Sequence, residues 1–325
     1  MQRCMLLIAL FALVQLPAYA QSPSRTPWGD PDLQGTWDFT TITPLQRPPE
    51  LAGKEFLTER EAAALEQQIN QQRVQTEEAS PGSLGGVPRP NSDPGIYNLA
   101  WWWEPNGRRL VGTRRTSLVV DPPDGRIPPL TAQAQATSRR RDEARELRRT
   151  PADLPLAERC IMGFNSGPPM VPGPYNNLVQ IFQSPGYVVI VNEMVHDARI
   201  VPLDARAPLG EGFRFWAGDS RGHWEGDTLV VETRNLTDGG TGTFGVPGLT
   251  DRHARIVERF TRSGDRGLVY RFTMTDPTVW PRPWSAEVPM TRIDGFVMEY
   301  ACHEGNYSLP NILAGARAEE KGTQP

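Results

Sequence analysis

Apolar and polar positions follow two different regimes along this chain. Before about residue 155, apolar residues come in short bursts broken by proline and glycine. From Asn177 onward they alternate with polar residues in run after run. The densest run is 186–203, GYVVIVNEMVHDARIVPL, where Val188, Val189, Ile190 and Val191 on one side and Ile200 and Val201 on the other flank Glu193, His196, Asp197 and Arg199. β-Branched residues at this density favour a buried strand. Ionisable groups inside such a strand are costly unless paired or put to use. Read as one strand, alternation puts Val191, Glu193, Asp197 and Arg199 on one face and Asn192, Met194, His196 and Ile200 on the other. A bulge at 195–197 would bring His196 and Asp197 together.

The same reading predicts an opening strand over 32–39, with Trp37 and Phe39 on one face. Gly35-x-Trp37 resembles the opening strand of lipocalin-like barrels, in which the tryptophan closes one end. A short strand is expected at 116–120, then 178–183 paired with 187–203 through Ser184-Pro185-Gly186. Further strands are expected at 213–216, at 223–234 around Glu225-Gly226-Asp227, at 255–262 and 268–275, and at 284–292 and 295–302 around Asp294-Gly295. Thr58-Glu59-Arg60-Glu61 is a capping box, which predicts a helix over 59–73. A second helix is predicted over 132–149, capped by Thr131 and poor in apolar residues, hence exposed. Successive strands with short turns predict a mainly β fold. The expected form is an antiparallel up-and-down barrel or strongly curved sheet, lipocalin-like, with two peripheral helices; a two-sheet sandwich is the alternative.

Composition adds compartment. Residues 1–20 read as a signal peptide: Arg3 is the positive end, an apolar core follows, and Ala18-Tyr19-Ala20 is a small-x-small cleavage site. The expected mature chain starts at Gln21 and is one β-rich domain, with helical and Pro-rich arms at 44–155 and a β core at 156–310. Its location would be periplasmic or secreted. Cys160 and Cys302 remain after Cys4 is removed, and two cysteines in an exported chain read as a disulfide. The formal charge of −4 gives no nucleic-acid footprint, and no stretch of the mature chain is long enough for a membrane anchor. With 30 glycines and 32 prolines, loops must be abundant.

Several blocks together are similar to a large group of exported bacterial proteins: Leu156-Ala157-Glu158-Arg159-Cys160, His196-Asp197-Ala198-Arg199-Ile200-Val201-Pro202-Leu203-Asp204, 218–231 (GDSRGHWEGDTLVV) and 299–307 (EYACHEGNY). The likeness runs from about Asp32 to Glu320. It implies a bacterial, exported protein and assigns no catalytic residue.

The candidate chemistry is acid–base. His196 would act as general base or acid, oriented by Asp197 or Glu193, with Arg199 stabilising an anion. Glu258 shares a face with Ile256 and Phe260, so it should point inward, either as a raised-pKa acid or as the partner of an arginine such as Arg199. Trp101, Trp102, Trp103 and Trp216 would wall a pocket for a ring-bearing ligand, and His303, Glu304, Asn306 and Tyr307 would form its rim beside Cys302. Histidine spacing offers no metal site, no Gly-x-Ser-x-Gly elbow occurs, and no cofactor motif is present. The expected function is cofactor-independent elimination, hydration, isomerisation or hydrolysis of a small, partly apolar molecule. The alternatives are a non-catalytic lipocalin-like binder and an envelope scaffold.

Overall fold

A computed structural model describes residues 25–79, 109–239, 245–247 and 252–322. The signal segment, most of the 77–94 linker and Trp101 to Trp103 lie outside the described residues. Ten strands form one antiparallel sheet: β1 (Gly35–Asp38), β2 (Val119–Asp121), β3 (Leu178–Ser184), β4 (Tyr187–Asn192), β5 (Ala198–Pro202), β6 (Asp219–Glu225), β7 (Thr228–Arg234), β8 (Arg255–Ser263), β9 (Gly267–Thr275) and β10 (Trp284–Ile293). Their order is β5-β4-β3-β1-β10-β9-β8-β7-β6, with β2 paired on β10. Two meanders, β3 to β5 and β6 to β10, are thus joined by the N-terminal β1.

No hydrogen-bonded ladder joins β5 to β6, so the sheet is not closed into a barrel. It curls until these two edges lie side by side. Gly222 in β6 sits so close to β5 that a β-carbon there would come 2.7 Å from Leu203 Cδ2 and 2.8 Å from Val201 Cγ1. Gly222→Ala is therefore expected to cost about 1–3 kcal/mol by overpacking the seam. Urea denaturation checks this, and an unchanged midpoint would mean that the edges are free to part.

Alternation sets the inner face. Trp37, Val179, Ile181, Val188, Ile190, Val201, Leu229, Val231, Phe260, Tyr270, Phe272, Trp284 and Val288 are all buried in one cluster. Phe272 and Trp280 both meet Trp284 edge-on, at 5.5 and 5.6 Å between ring centroids. Large aromatic side chains therefore fill much of the interior. The lead segment is stitched to the sheet by Gln183, which accepts from Leu33 N–H at 2.6 Å and donates to the Pro31 carbonyl at 3.0 Å.

The described residues form three α-helices: α1 (Glu59–Ala79), α2 (Ala132–Leu147) and α3 (Ser308–Gly322). The Thr58/Glu61 box forms as the sequence suggests, with Glu61 accepting from Thr58 N–H at 2.9 Å and Thr58 Oγ1 from Glu61 N–H at 3.3 Å. Thr131 caps α2, whose only buried residue is Ala134. The third helix was not expected. Four strand readings need correction. The 186–203 run is a hairpin, β4 and β5, because Val195 (φ 61°) and His196 (φ 58°) turn the chain back. Residues 213–216 make only an isolated bridge, Phe215 to Leu236. The strand expected from 223 begins earlier, at Asp219. Residues 295–302 form no strand; they run as an irregular strap after β10.

Candidate functional site

The hairpin turn rearranges the charges that the single-strand reading had grouped. Asn192 and Arg199 both sit on the inner face, and the turn between them takes Glu193, His196 and Asp197 out of register. Arg199 reaches across the interior to β8, six places away in the strand order. Its Nη1 and Nη2 donate to Glu258 Oε2 and Oε1 at 2.6 and 2.9 Å. Tyr270 Oη donates to Glu258 Oε1 at 2.7 Å and accepts from Met170 N–H at 3.0 Å. Glu258 is fully buried and Arg199 is 4% exposed. Burial works against the Arg199 charge, but Glu258 more than offsets it and holds the guanidinium above its ordinary value. Burial, then the Glu258 charge, push the Tyr270 hydroxyl up.

The other candidates scatter. His196 is exposed, and Asp197 accepts from the Ala198 N–H beside it at 3.0 Å. Neither is among the hydrogen-bond partners of Glu258. Trp216 is half-exposed with the Arg159 guanidinium 5.9 Å from its ring centroid. His303, Glu304 and Tyr307 are exposed. Asn306 is the exception: its Nδ2 donates to the Glu158 carbonyl at 2.9 Å and to Cys160 Sγ at 3.3 Å, while its Oδ1 accepts from Leu309 N–H at 3.2 Å. It ties the Cys160–Cys302 disulfide to the start of α3.

A second carboxylate group, centred on Glu193, lies on the outer side of the sheet. In β1, Trp37 points inward, so Thr36 and Asp38 point outward. The strap crosses this outer face, where Thr36 Oγ1 donates to the Gly295 carbonyl at 2.7 Å. Further along, Met298 N–H donates to Glu193, as do the Asn176 side chain and Leu178 N–H. Asp38 sits close enough for its charge to act on Glu193. Burial pushes the Glu193 carboxyl up despite its three donors, and Asp38 adds to the rise. Burial likewise raises Asp38, against two bonds from Thr40. Glu193 is 6% exposed and Asp38 is half-buried.

The backbone here is strained. Val195 at φ 61° and ψ 1° is a β-branched residue in the left-handed region, followed directly by His196 in the same region. Such conformations cost about 1–3 kcal/mol each and persist where surrounding contacts enforce them. Those contacts are visible: Glu193 N–H donates to the Leu178 carbonyl at 3.0 Å, and Ser166 Oγ to the Met194 carbonyl at 3.2 Å.

An apolar groove of about 530 Å³ opens nearby, lined in part by Thr41, Thr43, Ile69, Leu118, Val171 and Pro174. Thr41 is three residues beyond Asp38, which bounds their Cα separation at about 11 Å; Pro174 is two from Asn176, a bound of about 7 Å. Asp38, Asn176 and Met298 were missed in the sequence. Only Asp38 left a signal there, as a carboxylate between two buried aromatics, Trp37 and Phe39.

A scan against protein-family models finds no match. A search of curated proteins finds no relative either. Among the described residues, no three His, Cys, Asp or Glu side chains are grouped to hold a metal, and no helix is long and apolar enough to cross a membrane.

Proposed function

We propose that the protein is an exported acid–base enzyme acting on a small, partly apolar molecule by elimination, hydration, isomerisation or hydrolysis. Asp38 and Glu193 are its proton-carrying pair. The observation that carries this reading is two neighbouring carboxyls, both raised by burial, Glu193 at the foot of a strained turn and Asp38 at the end of β1, within a few residues of an apolar groove. A carboxyl raised in this way holds and releases a proton closer to neutral pH. Glu193, with three donors, is the fixed member. Asp38, half open, is the one that exchanges a proton with substrate. The groove beyond Thr41 takes the apolar part.

Because folding raises both carboxyls above their ordinary values of 3.8 and 4.5, it favours their protonated forms. That contribution to stability is full below the ordinary range and is lost as pH rises through the raised values. Asp38→Asn keeps the acceptor for Thr40 N–H and removes the charge. It should abolish turnover of a small-molecule extract followed by mass spectrometry. It should also gain stability relative to wild type at pH 7–8, with the gain shrinking towards pH 4. A folded Asp38→Asn and a folded Glu193→Gln that both keep full turnover would overturn the assignment.

A lipocalin-like binding protein is the second reading. It is favoured by the Arg199–Glu258 pair, which leaves the inward carboxylate with no free role. In that case the extract would yield a retained ligand and no product.

A further inference from the structure

At one end of the inner face, two arginines come together without a carboxylate between them. Arg262 in β8 continues the inward series Ile256, Glu258, Phe260, and Arg292 in β10 continues Val288, Met290. Arg292 is the register partner of Trp37, and the Arg262 guanidinium lies 5.0 Å from the centroid of the Trp37 ring. Neighbouring arginines of this sheet are paired: Arg255 with Glu232, Arg259 with Glu225, Arg266 with Asp294 and Arg221 with Asp219.

The two at the Trp37 end are not. Arg262 Nη2 donates to the Asp265 carbonyl at 2.5 Å and to that of Gly264 at 3.4 Å, while its Nε and Nη1 are buried with no partner. Among the described residues the Arg292 guanidinium has no hydrogen-bond or ion-pair partner. Its place is built into the chain: a β-carbon on Gly35, whose φ is +131°, would come 3.1 Å from Arg292 Nε. The Asp32 and Asp265 charges act on Arg262, but neither carboxylate hydrogen-bonds to it; Asp32 Oδ1 accepts from Gln34 N–H instead. Burial, then the Arg292 charge, lower the Arg262 pKa. Bringing two such cations together is costly unless something negative binds between or beside them.

We propose that Arg262 and Arg292 form a binding site for a small oxyanion, the carboxylate or phosphate group of a solute. Arg292, half-buried, offers a free fork of N–H donors, the geometry that grips two oxygens at once. Arg262, stacked on Trp37, is the fixed positive charge behind it. This site lies on the inner face, whereas Asp38 and Glu193 are on the outer one.

Calorimetric titration and thermal melts of the full chain test this with acetate and with phosphate, each against chloride at equal ionic strength. The expected result is a saturable rise in melting temperature for at least one oxyanion. Arg292→Gln should weaken that binding by at least about tenfold, and Arg292→Lys by less. A response to acetate identifies a carboxylate site, and a response to phosphate alone a phosphate site. If neither oxyanion exceeds the chloride control, or if folded Arg292→Gln responds as wild type does, the proposal is wrong.

Discussion

Replacing Glu258 with alanine is expected to destabilise the fold by about 3–5 kcal/mol, because it leaves Arg199 charged and unmatched inside the sheet. The pair cannot relax towards water: Glu258 is fully buried, and Arg199 Nε already lacks a hydrogen-bond partner. Removing the carboxylate also removes the acceptor of Tyr270 Oη, whose link to Met170 N–H holds the 168–171 segment against the core. Arg199→Met should cost a similar amount by stranding the carboxylate. The double replacement Arg199→Met with Glu258→Leu should recover most of the loss, since an apolar pair of similar volume needs no compensation. Urea midpoints of wild type, Arg199→Met, Glu258→Leu and the double variant give the coupling. A Glu258→Ala protein within about 1 kcal/mol of wild type would mean that solvent reaches Arg199.

The β pattern was readable because alternation is a local signal. Three hairpins whose turns carry glycine are found where they were expected, at Gly186, Gly226 and Gly264; the fourth, expected at Asp294-Gly295, does not form. Glu258 was placed inward by Ile256 and Phe260 on the same reasoning. The 186–203 run misled for a physical reason. Its turn uses Val195 and His196 in a backbone region that neither residue prefers, so no turn residue marks it. Contacts from 163–166 and Leu178, distant in sequence, impose the reversal. The strap failed likewise: apolar residues at Phe296 and Met298 look like a strand, yet they are 70% and 62% exposed while the backbone of Met298 serves Glu193. Asp38 showed only as a carboxylate between two buried aromatics, because its partner Glu193 follows β4, two strands away in the sheet. The edge-to-edge approach at Gly222 and the unpaired arginines are likewise products of curvature, which no local pattern encodes.

Cutting the Cys160–Cys302 bridge by serine replacement is expected to cost about 2–5 kcal/mol. Chain entropy alone gives about 5 kcal/mol for a separation of 142 residues. The consequence should reach the carboxyl pair. Cys302 is the far anchor of the strap whose near anchor is β10, and Met298 lies four residues before it. A strap released at Cys302 withdraws the Met298 N–H from Glu193. That bond lowers the Glu193 pKa, so its loss raises the carboxyl further, unless exposure of the same group brings water to it. The two outcomes have opposite signs. If the strap lifts only slightly, the acid limb of the activity profile moves to higher pH. If it opens fully, Glu193 is solvated, the limb moves to lower pH, and the stability gain of Asp38→Asn at neutral pH disappears with it. Urea midpoints and pH profiles of the oxidised and serine-substituted proteins separate these cases. Identical profiles with an unchanged midpoint would show that the strap stays in place without its anchor.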